Sequence, residues 1–272
     1  MIPYFSNEHG RLYCCDYFKA DLQIQCALML TDPPYGVTSQ EWDVAPDWSV
    51  FFNTARRFIK PSAAIVFTMT QPETSRAVIA NFEAFRWAYI WLKNKATGHL
   101  DADARPMRTH EDILVFCDQQ PLYNPQPIWN QNIASHAVNR GVTNCYGGQR
   151  EGSIYQGSHI RKPKTAIYEP ETTIECAVVN NDDPERIHAN QKPVPLFEYL
   201  MKTFSNENDI VFDPFAGSGT TAFAAQNCGR KWMLFEADEA KCEKMANRLE
   251  GYFPHLDPEG QEGWESFIEV QS

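Results

Sequence analysis

Short apolar runs along the chain alternate with stretches in which apolar residues recur at helical spacing. Period-2 and continuous apolar runs predict strands near Leu12–Cys15, Cys26–Leu30, Ala63–Thr68, Trp87–Leu92, Ile113–Cys117, Ile210–Phe212 and Trp232–Phe235. Helical patterns fit Trp48–Ile59, Pro72–Phe82, Val194–Phe204, Thr220–Cys228 and Glu239–Leu249. In the last of these, Cys242, Met245, Ala246 and Leu249 share one face. Strands alternating with helices predict an α/β fold built on a largely parallel sheet.

Between about 119 and 187 the periodicity breaks down into a stretch rich in Pro, Asn, Gln and Gly. A structureless loop of that length is improbable inside a compact domain, so the pattern predicts an irregular insertion with a function. Its charge also differs from the rest. From Val138 to Tyr168 there are five basic residues (Arg140, Arg150, Arg161, Lys162, Lys164) and one acid (Glu151). Interleaved with Tyr146, Tyr155 and Tyr168, these suit contact with a phosphate backbone and bases, and a solvated surface loop is the competing reading.

Composition narrows the class. A chain of 272 residues with 43% hydrophobic content can bury a sizeable core. A net charge of −11 argues against indiscriminate coating of nucleic acid, though the charge of a contacting face matters more than the total. The eight cysteines never occur as C-x-x-C, which points to free thiols rather than to a zinc site or a disulfide framework. The N-terminus lacks an apolar signal core, and no run approaches the roughly 20 apolar residues of a membrane span. The expectation is a cytoplasmic protein with no metal and no membrane contact.

Two segments carry the chemistry. In "LMLTDPPYG" an apolar run ends in Asp32, Pro33, Pro34 and Tyr35. Each proline fixes φ and lacks an N–H, and each restricts the residue before it, so the tetrapeptide is stiff. In "DIVFDPFAGSGTTAFAA" a strand ending at Asp213 leads through Gly217 and Gly219 into a helix. This turn has no lysine after its glycines, as a P-loop requires, and Ala222 stands where the dinucleotide fingerprint has its third glycine. The next strand ends in Glu236, placed as an acid that accepts from ribose hydroxyls. A nucleoside cofactor without phosphate, such as S-adenosylmethionine, fits this pair.

These residues resemble the amino-DNA methyltransferases, which methylate the exocyclic amine of adenine or cytosine. Asp32-Pro33-Pro34-Tyr35 is similar to their catalytic tetrapeptide, and Asp213-Pro214-Phe215-Ala216-Gly217-Ser218-Gly219-Thr220 to their cofactor loop. His188-Ala189-Asn190-Gln191-Lys192-Pro193 resembles the H-x-x-Q-K-P element of one subgroup. The tetrapeptide precedes the cofactor loop, as in the circularly permuted beta subgroup. The resemblance implies a single domain with a seven-stranded, mostly parallel sheet and helices on both faces. Its catalytic half would span about 1–118, its target-recognition insertion about 119–187, and its cofactor half about 188–272.

The resemblance further implies double-stranded DNA as partner, homodimers as in many beta-subgroup members, and S-adenosylmethionine as cofactor. Asp16 aligns with the acid of a Gly-Asp element near the cofactor's adenine, with Cys15 in place of the glycine. Lys192 and Pro193 would line the methionine end. Asp213, Phe215, Gly217, Ser218, Gly219, Thr220 and Glu236 would complete the cofactor site. Asp32 and the Pro33 carbonyl would accept the amine's hydrogens, with Pro34 stiffening the turn and Tyr35 stacking on the flipped base. Aspartate at position 32, where cytosine-specific members more often carry serine, favours adenine. The alternatives are N4-cytosine, an RNA or protein-amide substrate, and a catalytically silent DNA-binding regulator. "RTHEDILVF" (Arg108–Phe116) resembles a late-sheet element of the catalytic half, and its His110 reads as structural or as a hydrogen-bonding loop residue rather than a catalytic base.

Overall fold

The computed structural model describes residues 1–37, 40, 42–99, 102–126, 128–130, 166–168, 171–180, 182–183, 186 and 190–252. Arg140, Arg150, Glu151, Arg161, Lys162, Lys164, Tyr146, Tyr155, Cys145, His188 and Ala189 lie outside the described residues. For Tyr168 only the backbone is described.

In chain order the elements are β1 (Phe5–Ser6), β2 (Gly10–Cys14), β3 (Cys26–Thr31), α1 (Trp48–Ala55), β4 (Ile59–Met69) and α2 (Glu73–Ala80). Then come β5 (Phe85–Thr97), β6 (Arg108–Phe116), β7 (Ile128–Asn130), β8 (Ala166–Tyr168) and β9 (Thr173–Glu175). The last are α3 (Val194–Phe204), β10 (Ile210–Asp213), α4 (Thr220–Asn227), β11 (Lys231–Glu236) and α5 (Glu239–Glu250). Two compact units result: residues Met1–Asn124 with Glu171–Ser272, and the unit Pro125–Pro170. In the smaller unit β7 pairs antiparallel with β8.

The larger unit holds a nine-stranded sheet in the order β1-β2-β11-β10-β3-β4-β6-β5-β9. From β2 to β4 all neighbours run parallel, while β6 is antiparallel to both β4 and β5. The predicted seven strands are all present; β1 and β9 extend the sheet by one short strand at each edge. Strands of two and three residues carry no readable alternation, which is why pattern alone does not flag them. A second difference is at Ile59, expected to end a helix. The chain turns tightly after Ala55, with Phe58 N donating to the Ala55 carbonyl at 2.9 Å, and Ile59 instead opens β4 opposite Cys26.

Alternation along the central strands feeds two cores. Leu28, Leu30, Val211, Trp232 and Leu234 face α3, α4 and α5, whereas Met29, Phe212, Met233 and Phe235 face the aromatic cluster of Tyr17, Trp48, Phe51 and Phe58. Helix α4 is buried from Thr220 to Gln226, which its alanines and threonines allow. Asp47 and Asp238 cap α1 and α5, each accepting from backbone N–H groups of the first turn. Among the described residues no His, Cys, Asp and Glu cluster could hold a metal ion, and no helix is long and apolar enough to cross a membrane. The seven described cysteines are free thiols.

Candidate active site

Strand β3 lies between β10 and β4, and the chain leaves it in one direction while β10 leads to β11 in the other. This is a topological switch point, and such folds bind ligands outside the carboxyl ends of the strands there. Asp32 follows β3 and Asp213 ends β10, so the two sequence segments meet although they are far apart in the chain. Thr31 Oγ1 donates to Asp213 Oδ1 at 2.6 Å across that junction. A cavity of about 820 Å3 opens at this edge, large enough for a small-molecule cofactor.

Asp32, Pro33, Pro34 and Tyr35 line the cavity, as do Asp16 and Lys192. So do Asp213, Phe215, Gly217, Ser218, Thr220 and Glu236. Pro193 and Gly219 are not among the lining residues. Pro193 precedes α3, its carbonyl accepting from Leu196 N at 3.2 Å. Gly219 adopts φ +82° at the start of α4, where an added Cβ would come within 2.7 Å of Met245 Cγ. Glycine is required there by both conformation and space.

The glycine loop after β10 is held from several sides. Asp213 is buried; Thr221 Oγ1 donates to its Oδ2 at 2.5 Å and Phe215 N to its Oδ1 at 3.0 Å. Burial pushes its carboxyl up to about 7, partly against those hydrogen bonds, with the nearby Asp32 charge adding to the rise. Glu236 Oε2 accepts from Gly217 N and Oε1 from Asp238 N, both at 2.9 Å. Each oxygen keeps a further lone pair for a hydroxyl donor. Thr220 Oγ1 donates to the Lys192 carbonyl at 3.1 Å, tying the loop to the segment before α3.

Around Asp32 the polar groups are densely paired. Tyr35 OH donates to Asp32 Oδ1 at 2.7 Å, and Thr68 Oγ1 donates to the same oxygen. Lys192 Nζ pairs with Asp32 Oδ2 at 2.8 Å and lies 3.5 Å from Glu111 Oε2. Glu111 also pairs with Lys93. Burial opposes the Lys192 charge, but Asp32 and Glu111 outweigh it and hold the ammonium above its usual range. Burial likewise pushes Glu111 up, and Lys192 and Lys93 overcome it and hold the carboxyl below its usual range. Burial, then Asp32 and Glu111, push the Tyr35 hydroxyl well up, so it stays a donor. Lys192 Nζ also stands 5.2 Å from the Tyr35 ring centre.

The loop itself is pinned by an acid that pattern reading passes over. Asp43 is buried and accepts from Tyr35 N, Gly36 N and Val37 N at 2.8, 2.9 and 3.0 Å. Glu111, Lys93 and Thr68 are likewise absent from the sequence-level site. One signal was available for Glu111: alternation puts it on the face of β6 shared by Ile113 and Val115, which makes it an acid on a core-facing stripe. His110 is exposed, on the opposite face of the strand, and lines the cavity.

The residues present fit S-adenosylmethionine. Gly217 leaves its cavity side open, with nothing nearer than 3.8 Å to an added Cβ. Glu236 offers free lone pairs for ribose hydroxyls, Phe215 and Tyr17 offer apolar walls for a nucleobase, and the carboxylates suit a sulfonium cation.

The DNA methylase family model (N6_N4_Mtase) matches residues 26–248. The type II methyltransferase M.HpaI of Haemophilus parainfluenzae is 37% identical, over 91% of this chain and 76% of its own length. The type II methyltransferase M.BamHI of Bacillus amyloliquefaciens is 24% identical, and this chain spans 58% of it. In fold the chain is similar to the cytosine-N4-specific PvuII DNA methyltransferase, with a TM-score of 0.61 at 16% identity, over 94% of this chain and 90% of that one. S-adenosylmethionine is the methyl donor of this family. A family match over most of the chain, with the tetrapeptide and the glycine loop meeting at one cavity, shows that the chain belongs to the DNA methylase family of amino-methyltransferases.

Proposed function

We propose that this protein is a site-specific DNA methyltransferase acting on the exocyclic amine of an adenine flipped out of double-stranded DNA. The observation that carries the reading is Asp32, an acceptor at the carboxyl end of β3, set beside the glycine loop after β10 at one cavity. When bound, S-adenosylmethionine supplies an electrophilic methyl group whose carbon–sulfur electron pair remains on sulfur.

The chain's residues make the amine reactive. An adenine amine is a poor nucleophile because its lone pair is delocalised into the ring. Asp32 Oδ2 accepts one amine hydrogen and the Pro33 carbonyl the other, which draws the nitrogen towards tetrahedral geometry and localises the lone pair. Thr68 and Tyr35 hold Oδ1, so the carboxylate does not have to reorganise when the base arrives. Tyr35 offers a ring to the flipped base; such stacking is worth about 1–3 kcal/mol per base, against an unstacking cost of a few kcal/mol. After transfer the methylated nitrogen releases one proton to Asp32 Oδ2, from which it passes to water. Residues from about 119 to 187, which contain the compact unit Pro125–Pro170, would read the target sequence.

The aspartate at position 32 supports adenine over cytosine. Incubating the protein with labelled cofactor and DNA, followed by nucleoside analysis, should place label in N6-methyladenine. Label found only in N4-methylcytosine would reject the base assignment, and none in any nucleoside would reject the activity. Asp32→Ala should abolish transfer while cofactor binding survives.

A further inference from the structure

Asp32 does not stand alone with Lys192. Lys93 on β5, Glu111 on β6, Lys192 before α3 and Asp32 after β3 form an alternating row of two cations and two anions, all with side chains at most a quarter exposed. Their formal charges sum to zero. Thr68 from β4 and Tyr35 add only neutral donors. Beyond the row, Asp213 on β10 feels the Asp32 charge, and Arg108 reaches Thr70 Oγ1 at 3.5 Å on the cavity wall.

A carboxylate has about four lone-pair sites. On Asp32, Thr68 and Tyr35 fill Oδ1, and Lys192 takes one of the two sites on Oδ2, the oxygen that the target amine needs. An ammonium held only by Asp32 would stay on that oxygen and draw off the negative charge that the amine's hydrogen bond needs. Here a second carboxylate oxygen waits 3.5 Å from the same Nζ, so Lys192 can loosen from Asp32 without losing a charged partner in a buried site.

We propose that Glu111 is a positioning residue for methyl transfer: it receives Lys192 as the target amine takes up Asp32 Oδ2. Glu111 touches no reacting atom. Lys93 holds Glu111 in place and balances its charge, so the two govern the row in opposite senses. The inference rests on the methyltransferase reading above.

Charge removal at Glu111 and at Lys93 gives the test. Glu111→Gln leaves Asp32 as the sole anion facing Lys192. Single-turnover transfer should slow on the order of tenfold, with cofactor affinity unchanged. The row then carries an extra positive charge and takes up its first proton at lower pH. The acidic limb of the pH–rate profile should therefore move down by about one pH unit. Lys93→Met leaves an extra negative charge and should move that limb up by a similar amount. Carboxylate 13C titration of the ligand-free variants should show the same opposite displacements. Glu111→Asp keeps the charge and should recover much of the rate, which also guards against misfolding of the glutamine variant.

Limbs that move together or stay still, or an unimpaired rate in Glu111→Gln, would overturn the proposal while leaving the methyltransferase reading intact. Absence of methylated nucleosides with the unaltered protein would sink that reading, and the proposal with it.

Discussion

Asp213 shows how one buried acid is both scaffold and pH-sensitive element. It joins β10 to Thr31 on β3 and Thr221 on α4, yet burial pushes its carboxyl up to about 7. In an unfolded chain the same group titrates at about 3.9. Between those values the folded state keeps a proton that the unfolded state has released. Its contribution to stability is therefore full below about pH 4 and is lost as pH rises through 7. Asp213→Asn removes that titration. Its urea midpoint, compared with that of the unaltered protein, should shift in the variant's favour between pH 5 and pH 8. A gap that stays constant over that range would mean the three donors keep Asp213 ionised in both conditions. Asp32 draws on the same chemistry differently, since a lysine and two hydroxyls hold it at the cavity.

At the level of elements, the turn between β10 and α4 divides its labour between two glycines. Gly219 has φ +82° and lies against Met245 of α5, while Gly217 has φ +53° and lines the cavity. Alanine at either position costs about 1–2 kcal/mol of left-handed strain. Gly219→Ala adds a collision with Met245 and should lower Tm by roughly 2–8 °C in a thermal melt. Gly217→Ala meets only the Phe215 carbonyl oxygen, at an unstrained 3.8 Å, so its added methyl should weaken cofactor binding, measured by calorimetry, more than stability. Equal losses of cofactor affinity in both would show that the turn moves as one piece. The β5–β6 hairpin is the other decisive element, because its antiparallel pairing brings Lys93 and Glu111 to the edge where β3 ends.

For the whole molecule, charge is the constraint. The net charge is −11, yet residues 138–168 carry five basic side chains against one acidic. If those five supply the phosphate contacts, log affinity for a duplex should fall with log salt at a slope no steeper than about −4.5. Fluorescence anisotropy across a salt series reads that slope directly. A value near −10 would require basic residues of the larger unit to join the contact.

Much of the architecture was legible before any coordinates. Period-2 and helical patterns are local, so the seven main strands and five helices could be read from neighbouring residues, with errors where a tight turn ended α1 early, where β4, β5 and β6 run several residues beyond their apolar stretches, and where a strand was two or three residues long. The tetrapeptide at 32–35 and the loop at 213–220 were readable for the same reason: their stiffness and glycine turns are properties of a few adjacent residues. The sequence alone thus determined the elements, the two motifs and the kind of ligand they suit. The partners of Asp32 were decided by the tertiary structure. Lys192 reaches it because α3 begins beside β3, and Glu111 and Lys93 stand behind Lys192 because β6 inserts antiparallel between β4 and β5. Sheet order and register are set by burial summed over the whole core, and no short stretch of sequence records which distant charges that burial will bring together.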